Sequence, residues 1–458
     1  MTLRHLVQPY LGTKDFYKKV LLISLPLALQ QLLSSAMGIV DTMLVSSIGQ
    51  VTAVGTAAQI DTMAITVAFG AASGAGIFMT QFYGAHDVDR QRKSFGLGLA
   101  MTSLIALLFA LAAFFFSGPL LRFYLDDPQV LAYSSQYLSV ALFGYLPTIL
   151  MMTFSFAYRS IHKTHVPLII GTSAMALKIF LSYVLIFGMF GMPVLGVRGA
   201  ALATVISQTL GLITYIVYSY RSKQPFMGSL GKMFGFKREF ASSILKRSYP
   251  LIVNEAFFAL GSTLYIRAFG SLGAQAMESY YVGNQIANLF LFMIQGISTA
   301  NAAILGAELG SGSLERAKKT GNAFISVAVI FSIILSISVL LGASPLVAMF
   351  NLSDPVVVTQ AVLIVRVFAV RLSLRLFNVI IFGSLRAGGD SKFLAFLDSG
   401  ILWLVGLPTA FFLVSIVRIE SIALVFLLVQ VEQLVRVIVG LKRYFSGAWI
   451  RNLTLEVN

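Results

Sequence analysis

The sequence predicts an all-α polytopic membrane protein, with twelve transmembrane helices arranged as two six-helix lobes related by a pseudo-twofold axis. Three observations predict it. First, 57% of the 458 residues are hydrophobic and 11% charged, with a mean hydropathy of +0.86, which excludes an ordinary soluble enzyme. Second, the apolar residues form stretches of about 20 to 30, long enough to cross a bilayer as helix, and not the alternating segments of about ten that build a membrane barrel. Third, the two halves of the chain repeat one another, as set out below.

Taken in order, the spans are Val20 to Ser46, Val51 to Tyr83, Phe95 to Phe116, Val130 to Tyr158, Val166 to Phe190, Gly196 to Tyr220, Ile244 to Phe269, Ser279 to Leu309, Gly321 to Phe350, Pro355 to Leu385, Phe393 to Val417 and Ser421 to Phe445. The first lacks a small-residue cleavage site and runs too long for a signal-peptide core, so it is expected to be a permanent span. The connections between spans orient the chain. One side collects Arg4, Lys14, Lys18 and Lys19, then Arg90, Arg92 and Lys93, then Arg159 and Lys163. The basic stretch from Arg221 to Arg247 lies on the same side, as do Arg316, Lys318, Lys319, Arg386, Lys392, Lys442, Arg443 and Arg451. The opposite side has only Arg122, Arg198 and Arg418, beside Asp126, Asp127, Glu278, Asp354 and Glu420. The excess of basic residues on one side places both termini and the central connection in the cytoplasm. The net charge of +15 is thus explained by topology, and no nucleic-acid partner is expected.

The repeat joins distant motifs. SLPLALQQLLSSAMGIVDTMLVSSIG, containing Pro26 and Gly49, returns as SYPLIVNEAFFALGSTLYIRAFGSLG, containing Pro250 and Gly273. Gly84, Asp89, Arg90 and Lys93 return as Gly310, Glu315, Arg316 and Lys319; LDDP ending at Pro128 returns as LSDP ending at Pro355; and the segment around Arg159 returns around Arg386. An even number of spans per half gives both halves one orientation, hence a twofold axis along the membrane normal, the plan of many transporters with a cavity between lobes. The expected boundaries are an N-lobe over residues 1–220, a flexible connector over 221–243 and a C-lobe over 244–458. Pro26 and Pro250 are candidate hinges. GAASGAG at Gly70 to Gly76 is expected to allow close helix approach or bending; it lies inside an apolar span and lacks the ending of a phosphate loop.

LRAGGDSKF at Leu385 to Phe393, PLIVNE at Pro250 to Glu255, GIVD ending at Asp41 and LGSGSLERAKK at Leu309 to Lys319 together resemble the multidrug and toxic compound extrusion (MATE) transporters, most strongly their DinF-like prokaryotic branch. The likeness covers nearly the whole chain. It implies a V-shaped pair of lobes that exports small organic, often cationic, compounds in exchange for inward H⁺ or Na⁺, in the plasma (inner) membrane of a prokaryote. The expected partners are those substrates and the lipid bilayer, with the chain acting as a monomer.

Ionisable residues inside spans are the candidates for chemistry, since each is costly there unless paired or hydrated. In the first half these are Asp41, Asp61 and Lys178, at depths that differ by roughly one helical turn, so a lysine stem can bridge them. They are expected to form one cluster in the outer half of the N-lobe. Two carboxylates and one ammonium leave one negative charge in excess, a candidate proton carrier; the bland alternative is a static Asp41–Lys178 pair that ties helices together. The resemblance singles out Asp41 as the cation-coupling aspartate. Many family members carry Asn and, four residues on, Asp at the places of Lys178 and Ser182. A lysine there repels Na⁺ and removes an oxygen ligand from a site that needs oxygens, so H⁺ is favoured over Na⁺ as the coupling ion.

In the second half the candidates are Glu255, Arg267, Arg366, Arg371, Arg375, Glu432 and Arg436. Asn254 and Glu255 align with Gln30 and Gln31, and with Met37 they are expected on a substrate-cavity wall. Arg375, with Asn378 near it, stands where some sodium-coupled relatives carry an aspartate. Arg371 and Arg375 share a face and either pair with Glu255 or meet an anionic substrate, whereas Glu432 and Arg436 read as a structural i,i+4 pair. Met37, Met43 and Met63 suit a pocket that repacks, or ordinary packing. An alternative function is a flippase for lipid-linked or anionic amphiphilic substrates, in the same superfamily, kept open by Lys178, Arg371 and Arg375. An enzyme is not expected, because no triad, carboxylate-rich metal motif or nucleotide loop is present. With no cysteine and four histidines no metal site is expected, and no cofactor apart from the coupling ion.

Overall fold

The computed structural model describes residues 8–122, 128–349 and 354–455, and its regular structure is entirely helical among those residues. Arg4, Asp126, Asp127 and most of the LDDP and LSDP motifs lie outside them. The spans appear as α1 (Lys14–Ser46), α2 (Val51–Gly84), α3 (Val88–Arg122), α4 (Pro128–Ser160), α5 (His165–Phe187), α6 (Val197–Arg221), α7 (Arg238–Gly270), α8 (Ala274–Gly310), α9 (Leu314–Ala348), α10 (Pro355–Ala387), α11 (Ser391–Ile416) and α12 (Ile422–Phe445). All but α7 and α8 meet the length and hydropathy of a membrane crossing, and those two, at 33 and 37 residues, occupy the places of the seventh and eighth spans. On α3, Leu104, Leu107, Leu108, Leu111 and Phe115 are exposed at helical spacing, the stripe that lipid would cover.

Local chemistry sets several helix ends. The Asp354 carboxylate accepts from the Val356 amide at 2.8 Å while Pro355 takes the first turn, where no amide donor is needed. Helix α5 stops at Gly188, whose φ of +70° closes the left-handed cap. Pro26 and Pro250, by contrast, sit inside α1 and α7 without ending them. Helix α11 winds as π-helix over Phe396–Gly400, Leu402–Gly406 and Phe412–Ile416, a geometry common near functional sites.

By packing, the chain forms two compact units: residues 29–252, and residues 8–28 with 253–455. The divisions fall two residues after Pro26 and two after Pro250, at equivalent points of the repeat.

In the unit of residues 29–252, the buried face of α2 is built from Ala57, Ala64, Ala68, Ala71, Ala72 and Ala75. Small side chains allow close backbone approach. A Cβ on Gly70 would lie 2.7 Å from the Ile252 Cα, and one on Gly74 would overlap Ser248, so GAASGAG serves close approach to α7. The stretch after α6, expected to be flexible, is instead packed. It contains a short helix, Leu230–Phe234, and its Phe226 and Met233 are buried with Phe95 and Tyr158. Arg92 Nε also donates to the Met227 carbonyl at 2.7 Å. The physical reason is that the basic residues of this stretch are interleaved with apolar ones that reach the core.

The other unit has one core around Ile286, Phe324, Val365 and Leu376, and a second around Phe269, Phe368 and Phe426. A third gathers Leu309, Leu385, Tyr444 and Trp449. The RAGGD motif serves this third core. A Cβ on Gly388 would overlap the Trp449 carbonyl, Gly389 turns the chain at φ +70°, and Asp390 accepts from Arg443 Nε at 2.8 Å.

Candidate functional site

Asp41, Asp61 and Lys178 line one cavity of about 370 Å³ within the unit of residues 29–252. Helix α1 supplies Asp41, α2 Asp61, α4 Tyr137 and Tyr145, and α5 Lys178. Lys178 Nζ donates to Asp41 Oδ2 at 2.8 Å, and the Ser182 hydroxyl reaches Asp41 Oδ1 at 3.5 Å. These two partners sit four residues apart on α5, one above the other on a single face. Asp61 is held differently: its Oδ1 accepts from the Tyr145 hydroxyl at 2.7 Å. Among the described residues Asp61 belongs to no ion pair. The cavity therefore contains one neutralised carboxylate and one held by a neutral donor, with Thr62, Thr148, Thr204 and Gln208 completing a partly polar wall.

Tyr137 and Tyr145 were not legible as site residues. Tyrosine is common in spans, and α4 is interrupted by a 3-10 turn over Leu142–Gly144, immediately before Tyr145. Met37, Met43 and Met63 do not line the cavity; Met43 and Met63 are exposed and Met37 is half-buried. Gln31 is exposed, and Gln30 is half-buried beside Gly171.

In the other unit the predicted residues fall into different settings. Asn254 is not on an open wall: it is 2% exposed, donates to Asp398 Oδ2 at 3.1 Å and accepts from the Ser399 amide and hydroxyl at 3.2 and 2.6 Å. A buried amide must spend its donors and acceptors on neighbours, and Asp398 and Ser399 of α11 provide them. Glu255 does not pair with Arg371 or Arg375; Arg386 Nη2 lies 3.7 Å from its Oε1. Asn378 is likewise buried, donating to Gln433 Oε1 at 3.0 Å, and so is withdrawn from any cavity wall. Glu432 and Arg436 are paired at 2.6 Å, as their spacing predicts. The pair extends into a network that also includes Tyr265, whose hydroxyl donates to Glu432, and Asp398, whose backbone carbonyl accepts from Arg436 Nη2 at 2.7 Å. Asp398 was missed in the sequence. It sits in the first π-helical turn of α11. Arg371, Arg375, Glu432 and Arg436 line a second, smaller pocket of about 140 Å³.

Comparison with known proteins decides the family. The MatE family matches residues 26–184 and 250–412, one match in each copy of the repeat. The chain belongs to the MatE family. The uncharacterized transporter YisQ of Bacillus subtilis is 28% identical to this MatE chain over 434 residues, 93% of each protein. The probable multidrug resistance protein NorM of Thermotoga maritima is 25% identical over 331 residues, 72% of this chain and 70% of the relative. Among solved structures, the Vibrio cholerae MATE transporter VcmN in its bent form superposes with a TM-score of 0.83 at 17% identity, covering 95% of this chain and 99% of that one. A MOP superfamily transporter from Pyrococcus furiosus superposes at 0.84, also with 17% identity, over 96% and 98%. These structures show the fold. MatE members are multidrug efflux transporters of membranes and not enzymes, and this MatE chain is a multi-pass membrane protein.

Proposed function

We propose that this MatE chain exports small organic, often cationic, molecules from a prokaryotic cell, acting as a single chain in the plasma membrane and driven by inward movement of protons. The observation that carries this reading is the charge count of the 370 Å³ cavity: two carboxylates, one ammonium, and the ammonium spent on Asp41 at 2.8 Å. Asp61 is left as the exchangeable charge. A proton or an organic cation neutralises it, and occupancy by one removes the attraction for the other. Affinities coupled in this way are reciprocal, so loading from outside with H⁺ favours release of the organic cation there. The positive-inside distribution supports an N-terminus and C-terminus both facing the cytoplasm.

Sodium fits the same cavity poorly. A hard monovalent cation needs several converging oxygens, and the place beside Asp41 is taken by the Lys178 ammonium. The test is efflux of a fluorescent organic cation from proteoliposomes, with a pH gradient and a Na⁺ gradient imposed separately. The expected result is transport with the pH gradient alone, lost in Asp61→Asn. Transport that requires Na⁺, or that persists in Asp61→Asn, overturns the proposal.

A further inference from the structure

The pocket in the unit of residues 8–28 and 253–455 carries charges that do not balance. Arg436 is shared by Glu432 at 2.6 Å and Asp398 at 3.7 Å, so three guanidiniums, those of Arg371, Arg375 and Arg436, stand against two carboxylates. Arg371 and Arg375, one turn apart on α10, are the remaining charges on the wall. Arg371 rests on the Phe368 and Phe426 rings, 5.4 and 5.3 Å from their centroids. Among the described residues neither guanidinium makes an ion pair or a hydrogen bond, and both are half-buried within the apolar part of the chain. Two like charges at i and i+4 repel, and a charge withdrawn from water inside a span needs a partner. No carboxylate forms an ion pair with either of them among the described residues: Glu432 is held by Arg436 and Tyr265, Asp398 by Arg436 and Asn254, and Glu255 lies beside Arg386.

We infer that this pocket binds the oxyanion head of an anionic amphiphile, a carboxylate or a phosphate, between Arg371 and Arg375. Guanidinium forks donate paired N–H bonds to such oxygens, and an anion at this position removes the mutual repulsion. The rest of the wall fits the start of an apolar tail, with Phe258, Ile266 and Leu402 on it. At about 140 Å³ the space holds a head group, where a drug-sized ligand needs roughly 300 Å³ or more. The pocket shares no residue with the Asp41 cavity, so it stands or falls independently of the proton reading.

The experiment is equilibrium binding of a fluorescent dodecyl phosphate to the purified full-length protein in a neutral detergent. Saturable binding is expected, at least tenfold weaker in Arg375→Gln and in Arg371→Gln, with Arg375→Lys between wild type and the glutamine variant. Competition by inorganic phosphate would place the source of the head group in water. Competition by phosphatidylglycerol in nanodiscs, without an effect of inorganic phosphate, would place it in the bilayer. Equal binding of the uncharged dodecanol probe by the wild type, or undiminished phosphate-probe binding by folded glutamine variants, overturns the inference; the dodecanol comparison needs no variant to fold.

Discussion

Lys178 Nζ lies 2.8 Å from Asp41 Oδ2, while Asp61, in the same cavity, accepts from the hydroxyls of Tyr145 and Tyr137. The two aspartates are therefore not equivalent. Asp41 shares its charge with a lysine, and Asp61 offers the cavity's uncompensated one.

This asymmetry predicts the behaviour of charge-paired variants. Asp41→Asn frees the Lys178 ammonium to neutralise Asp61, so efflux driven by a pH gradient falls at least about tenfold, the equivalent of about 1.4 kcal/mol in a barrier. The double variant Asp41→Asn/Lys178→Met removes both partners and leaves Asp61 alone, so it recovers most of that loss. Proteoliposome efflux of the three forms, wild type included, measures both effects.

The place of Lys178 also predicts a change of ion. Lys178→Asn exchanges an ammonium for a carbonyl oxygen beside Asp41, with the Ser182 hydroxyl 3.5 Å from the same carboxylate. Saturable binding of radioactive sodium, absent from wild type, is expected to appear in the purified variant. No sodium binding in a folded Lys178→Asn protein would contradict the role given to the lysine.

The cluster was legible in the sequence because charges inside apolar spans are few and their depths follow from helical rise. Its division of labour was not. That tyrosine hydroxyls and not the Lys178 ammonium donate to Asp61 is a matter of side-chain geometry, which periodicity does not reveal. The second unit was less legible still. Asn254 and Asp398 meet through the π-helical start of α11, and Glu255 lies beside an arginine 131 positions away in sequence, Arg386. The RAGGD segment was recognisable as a motif, but its packing against Trp449 was visible only once the tail was seen to return to it.

The Glu432–Arg436 pair has side chains only 5% and 3% exposed, and Asp398 depends on the same arginine. Arg436→Met leaves two carboxylates without their cation and is expected to cost about 3–5 kcal/mol, the usual loss for half of a buried pair. Glu432→Gln/Arg436→Met should recover much of it. Thermal unfolding of the purified proteins in one detergent checks both, through the order of the midpoints.

At Gly388 a methyl group would overlap the Trp449 carbonyl. Gly388→Ala is expected to destabilise the unit by about 1–3 kcal/mol through overpacking. The displacement should also alter the fluorescence of Trp449, which is buried and stacked on Tyr444, and Trp403→Phe provides a background in which Trp449 is the sole indole. An unchanged spectrum and midpoint would contradict the tight seat assigned to this glycine.

The central claim is that a proton and an organic cation contend for Asp61, and the most direct measurement is proton release on ligand binding. Purified protein in weakly buffered detergent is mixed with tetraphenylphosphonium while a pH indicator is followed. The account predicts acidification from the wild type that saturates with binding, and none from Asp61→Asn. Saturable binding without acidification in the wild type at every starting pH, or equal release from Asp61→Asn, would contradict it.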